Sequence, residues 1–250
     1  MQTTVYTQTG QMIAKKRVSY MNKFRMLLLL ILPLMSLHIE ANAHRPVGIG
    51  GDMGKDLNHA VEIEDIGVSQ VIYREISSDL PELWLTFEAQ AGEFLDVQLG
   101  IPEIERYQTY RPSVAVIGPG LDKASLPFAT PENLDSVIFE SETDQVELFY
   151  EPFSDTNSWI LGNLKMTLPE TGQYYVVAFH PQQQAGKLWV ALGKREEFGA
   201  SDMVKMPEWL SAVREFHEVG GQAPLINITY AMLLGLIATA GLAVWWVMKQ

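Results

Sequence analysis

Apolar and polar positions alternate with a period of two through most of the middle of the chain. In "LWLTFEAQ", Leu83, Leu85, Phe87 and Ala89 fall on one face, with Trp84, Thr86, Glu88 and Gln90 on the other. "EFLDVQLG" repeats the pattern through Leu95, Val97 and Leu99, "QVELFYE" through Val146, Leu148 and Tyr150, and "NLKMTLP" through Leu164, Met166 and Leu168. Such alternation is what a strand with one wet face requires. "SVAVIG", "YYVVAF" and "LWVALG" are apolar on both faces and predict central strands. With "SQVIYREI" and "SVIFES" added, about nine strands are expected within residues 69–199, parted by turns such as Gln90-Ala91-Gly92. No long helical period interrupts them. The predicted class is therefore all-β, an antiparallel β-sandwich or jelly-roll-like domain. One turn adds a specific expectation. In "LPETGQYY", Gly172 stands two residues before Tyr174 as the chain enters a strand, a spacing that suits a tyrosine corner. Tyr174 and Gly172 are thus expected to be structural.

Residues 44–68, opening on the Gly-rich "HRPVGIGGDMGKD", read as an extended lead into the sandwich. After it, within a linker spanning 200–223, "MPEWLSAVREFHEVGG" has Pro207 at a first helical position and Gly220 as a stop. Trp209, Val213, Phe216 and Gly220, with Leu210 beside them, recur at helical spacing. This predicts a short juxtamembrane helix packed on the sandwich. The alternative, a helix lying in a bilayer interface, is disfavoured by Glu208, Glu215 and Glu218.

Both ends of the chain are apolar, in different ways. "KFRMLLLLILPLMSLHIEANA" combines a basic start, a short apolar core broken by Pro33, and Ala41-Asn42-Ala43, the three-part pattern of a cleaved signal peptide ending at residue 43. Met21 would start a signal of ordinary length, so residues 1–20 read as an over-long start. Leu225 to Met248 carries no charge and is long enough to cross a bilayer about 30 Å thick. Tyr230 lies near one edge of it, and Trp245 and Trp246 near the other. A transmembrane helix over 224–248 is expected, with Lys249 on the cytoplasmic side. About 180 residues would lie outside, on the far face of the inner or plasma membrane. Ala231, Gly235, Thr239 and Ala243 form a ridge of small residues at four-residue steps, a pattern that would serve a homodimer.

Charge narrows the partners. From residue 44 onward the chain holds 13 basic and 29 acidic side chains, a balance of −16. Such a surface repels phosphate backbones, so nucleic acid is not expected as a partner. There is no cysteine, and a domain of this size can rely on its core instead of disulfides. The one glycosylation pattern, Asn227-Ile228-Thr229, falls at the membrane edge. Both facts suit a bacterial envelope, periplasmic or extracellular, better than a eukaryotic surface.

The stretches "FEAQAGEFLDVQL", "RPSVAVIGPG" and "LPETGQYYVVAF" followed by "GKLWVALG" occur in an order that resembles the bacterial pre-peptidase C-terminal type of domain, over roughly residues 69–193. The resemblance implies a jelly-roll-like β-sandwich of a secreted protein, serving in secretion or substrate binding, sometimes with calcium. No peptidase accompanies it here, and "GPGLDKASLPFATPENLD" and "FYEPFSDTNSW" depart from the pattern.

Candidate chemistry is sparse. The chain lacks G-x-S-x-G, H-E-x-x-H, a P-loop and any thiol nucleophile, and His217-Glu218 has no second zincin histidine. If cleavage follows Ala43, His44 becomes the N-terminus. Its amine and imidazole could then chelate copper(II) together with a second imidazole, from His59 or His180. The plainer reading is that some residue must follow the cleavage site. Asp52 and Asp56, with Glu62, Glu64 and Asp65, offer oxygens for calcium, but without EF-hand spacing. Phe153 and Trp159, in an aromatic stretch with Phe149 and Tyr150, could grip a ligand or cover a sheet edge. Three functions follow: an exported, membrane-anchored, non-catalytic binding or scaffolding sandwich; a copper-binding protein built on His44; or an envelope hydrolase whose paired acids no motif reveals.

Overall fold

The computed structural model describes residues 44–141, 146–197 and 199–221. The expected signal peptide, the 224–248 span and its ridge of small residues lie outside them. Eleven strands are described: β1 (Arg45–Ile49), β2 (Val61–Glu62), β3 (Gln70–Ile76), β4 (Glu82–Ala89), β5 (Phe94–Pro102), β6 (Ser113–Gly118), β7 (Asp135–Glu140), β8 (Glu147–Glu151), β9 (Thr156–Thr167), β10 (Gly172–Phe179) and β11 (Gly186–Leu192). One helix follows, α1 (Ala200–Phe216). The strands form two sheets, one of six in the order β1-β3-β11-β5-β9-β8 and one of five in the order β2-β4-β10-β6-β7.

The inward positions are the ones the alternation marked. Leu83, Leu85 and Phe87 of β4 meet Leu95, Val97 and Leu99 of β5 in one core between the sheets, none more than 2% exposed. The three runs that are apolar on both faces owe their second face to two covers. On the five-stranded sheet, Trp84, Ile117, Tyr175 and Val177 point outward under Leu126, Phe128 and Leu134. Phe128 stands edge-on to Trp84 at 5.4 Å and to Phe179 at 5.1 Å. The long Pro/Gly loop between β6 and β7 is therefore a lid on that face. On the six-stranded sheet, α1 lays Val213 and Phe216 against Val71, Tyr73, Ile160 and Trp189. Gly100 lies beneath Trp189, where a Cβ would run into the indole.

The helix packs on the sandwich, but it starts seven residues ahead of Pro207, at Ala200. The Asp202 carboxylate accepts the Gly199 N–H at 2.8 Å and caps the first turn. An interior proline costs a helix about 3 kcal/mol. Burial of Val213 and Phe216, at about 1.5–3 kcal/mol each, offsets it.

Within the stretch expected as an extended lead, β1 pairs in parallel with β3 and β2 in parallel with β4. These residues are part of the sandwich. The turn before β10 is a tyrosine corner: Tyr174 Oη, in the core, donates to Glu170 O at 2.7 Å and lies 3.1 Å from Pro119 O. A Cβ at Gly118 would strike the Tyr174 ring, and one at Gly172 would come within 3.1 Å of Pro119 Cγ. Tyr174→Phe keeps the ring and orphans the carbonyls, and is expected to cost about 1–3 kcal/mol in urea unfolding. A loss below about 0.5 kcal/mol would show that the corner holds nothing.

Candidate functional site

The β8–β9 hairpin differs from the other alternating strands. Val146, Leu148 and Tyr150 share a face as the pattern predicts, yet they are 37%, 59% and 54% exposed. The face is wet because β8 ends the six-stranded sheet, and among the described residues its only ladder partner is β9. Leu148 stands opposite Trp159, which is half-buried against the core. Phe149, on the other face, packs beside Ile160 and Trp189.

The hairpin is held firmly at its turn. The Glu151 carboxylate accepts from Phe153 N at 3.0 Å, Ser154 N at 2.9 Å and Ser154 Oγ at 2.7 Å. Asp155, at φ 54°, takes the left-handed conformation that closes the turn. From α1, the buried Arg214 donates to Ser154 O at 2.6 Å and Asp155 O at 3.1 Å. The same guanidinium reaches Gly220 O at 2.6 Å and Gly221 O at 3.0 Å. One side chain thus ties the turn, the helix and the chain leaving the helix. Tyr150 Oη donates to Asp155 Oδ1 at 3.1 Å, which orients the ring on the exposed face.

Behind the hairpin runs a buried polar relay. Trp189 Nε1 donates to Ser158 Oγ at 3.1 Å, Ser158 Oγ lies 3.0 Å from His217 Nε2, and His217 Nδ1 lies 2.8 Å from Val213 O. A carbonyl can only accept, so the proton is assigned to Nδ1, and the serine hydroxyl donates to Nε2. This serine–histidine pair has a backbone carbonyl where a triad has a carboxylate, and both residues are 5% exposed. Its work is to dock the helix. At the helix end, Glu218 joins Arg106 and Lys187, its Oε1 lying 2.8 Å from Lys187 Nζ. Those two cations hold its carboxyl down at about 2.

The histidines proposed for copper stand apart. His44 is half-buried, with Nδ1 2.6 Å from Ser69 Oγ; burial lowers its pKa and nearby Asp96 opposes that. His59 is exposed and contacts Asp56 at 2.7 Å. His180 stacks on Tyr110 at 4.9 Å and accepts from Gln182 N and Gln184 N at Nδ1, which leaves the hydrogen on Nε2. Ser69 precedes β3 while Gly186, against the Tyr110 ring, pairs with Ile76 at its end. His44 and His180 are therefore about 20 Å apart, at opposite ends of that strand. Among the described residues, no group of three or more His, Cys, Asp or Glu is placed to hold a metal ion. Of the calcium candidates, Asp52 pairs with Lys55, Asp56 caps the turn at Leu57–His59, and Asp65 pairs with Arg195. Phe153 lies half-buried in the hairpin turn and Trp159 half-buried on β9. Arg214, Ser158 and His217 carry the geometry here, and no motif marked them; the one available signal was the four-residue step from Val213 to His217, which puts the histidine on the apolar stripe.

No family model matches this chain, and no curated protein sequence matches it either. Among solved structures it is similar to the pre-peptidase C-terminal domain of collagenase from Bacillus anthracis, at 11% identity over 52% of this chain and 91% of that one, with a TM-score of 0.29. It is also similar to PliG of Aeromonas hydrophila, a periplasmic inhibitor of g-type lysozyme, at 13% identity over 60% and 98%, TM-score 0.29. A third is CorA of Methylomicrobium album, a surface-associated copper-binding protein, at 13% over 61% and 100%, TM-score 0.26. Likeness at this level adds nothing to the two-sheet architecture already read from the strand pairing. Among the described residues, no helix is long and apolar enough to cross a membrane.

The relay makes the docked helix sensitive to acid. Burial, with Lys187 adding to it, pushes the His217 pKa down from 6.5 to about 4. The unfolded chain therefore binds the extra proton first. Stability is full above pH 6.5 and declines as pH falls toward 4, by roughly 3 kcal/mol in total. Melting curves should show this slope in the native chain and a flatter one in His217→Gln. Equal slopes in the two would contradict the relay. Glu218, with its pKa lowered, acts in a separate window, below pH 4.5.

Proposed function

We propose that the chain is an exported, membrane-anchored, non-catalytic binding or scaffolding domain, which meets its partner along the outer side of β8. The supporting observation is the exposed apolar strip of Val146, Leu148 and Tyr150 on a hairpin that Arg214 and Glu151 hold rigid. A protein surface scatters its exposed apolar side chains; a contiguous strip on an ordered strand marks an interaction site. The terminal sequence patterns support a location outside the cytoplasm, above a single span. The serine–histidine pair is sealed under α1, which supports a role in recognition rather than in chemistry.

Leu148 and Tyr150 are over half exposed, so replacing both by lysine is expected to change stability within about 0.5 kcal/mol. The same pair of changes should abolish the co-purification of envelope proteins with the full chain after detergent extraction. An unchanged set of co-purified proteins, with folding intact, would remove this reading.

A further inference from the structure

Two open sheets have four edges, and among the described residues three are flanked by another element, tied to a loop at one point, or very short. β1 lies alongside α1, with Arg45 Nη1 3.9 Å from Asp202 Oδ2. β7 is overlaid by residues 122–124: Ser136 N donates to Asp122 O at 2.8 Å and Ala124 N to Ser136 O at 2.9 Å. β2 is two residues long, too short to template anything. β8 is left, with five residues and about 17 Å of edge. It carries no proline, lysine or bulge of the sort that guards natural edges.

We infer that β8 takes an added strand from an extended, basic segment of a partner protein, in which apolar residues alternate with lysine or arginine. The inference rests on the binding reading above and specifies its partner. An added strand bonds to the outward N–H and C=O groups of β8 and lays every second side chain on the face of Leu148 and Tyr150. Charge chooses the intervening residues. Glu147 is exposed and makes no ion pair among the described residues, whereas Glu151 is engaged in the turn. The balance of −16 from residue 44 onward favours a cationic strand and repels a second copy of this chain. Self-pairing centred on Phe149 would also set Glu147 against Glu151.

The test uses the full chain in detergent and an end-blocked peptide in which lysine and valine alternate over about seven residues. Two further versions are N-methylated, each on one of the two sets of alternate amides. Strand addition predicts that the parent peptide binds, that one methylated version binds about ten-fold more weakly, and that the other does not. Leu148→Lys and Glu147→Lys should each weaken the parent peptide by about ten-fold. Equal binding of both methylated versions, or no binding of the parent, overturns the inference. So does a chain that sediments as a dimer until Leu148→Lys is introduced, since the occupant would then be a second copy. If the peptide fails while the double lysine variant still loses its envelope partners, the binding reading stands and only the basic strand falls.

Discussion

A backbone N–H or C=O at the edge of a sheet must find a partner, and in a two-sheet domain that demand falls on the outermost strands. Most of the irregular structure of this chain answers it. The loop after β6 exchanges two backbone bonds with Ser136 of β7, accepting one at Asp122 O and donating one from Ala124 N, before crossing the outer face. The segment ahead of β3 becomes β1 and is then flanked by α1. At β8 no such element intervenes among the described residues, and Val146, just ahead of the strand, with Leu148 and Tyr150 on it, stays exposed.

The helix links that edge to the rest of the molecule. Its apolar stripe seals the outer face of the six-stranded sheet, and Arg214 reaches past the stripe to the carbonyls of the hairpin turn. The hairpin is therefore ordered from behind while its front is exposed. An arrangement of this kind lowers the entropic cost of binding, since the strand is already straight and its side chains placed. The buried histidine beside it adds a condition: burial favours neutral His217, so the docked arrangement is less stable in acid.

Much of this was legible in the sequence. The nine strands expected from alternation and from runs apolar on both faces are present, because a strand's side chains point to its two faces in turn. The tyrosine corner was legible because a glycine at a fixed offset has a local cause. The parallel strands β1 and β2 were not: "RPVGI" has no alternation, and its pairing is decided by β3, 25 residues away. The helix start was missed because a proline looks like a beginning, whereas Gly199 and Asp202 form the cap. The strip on β8 shows the limit of patterning most clearly. Val146, Leu148 and Tyr150 alternate as Leu83, Leu85 and Phe87 do, but only the second set lies under another sheet. Periodicity reveals that a strand has an apolar face, and topology decides whether anything covers it. The pairing of His44 with His180 for copper illustrates the same gap, since nothing local could reveal that the two lie toward opposite ends of β3.

The central claim is that the outer edge of β8 is open, and hydrogen exchange measures this residue by residue. In the full chain, in detergent and without a partner, the outward amides of Glu147–Glu151 should exchange orders of magnitude faster than the inward ones on the same strand. The amide of Ser136 on β7, bonded to Asp122, should exchange slowly. Uniform protection along β8, matching that of Ser136, would mean that this edge is already covered and would contradict the account.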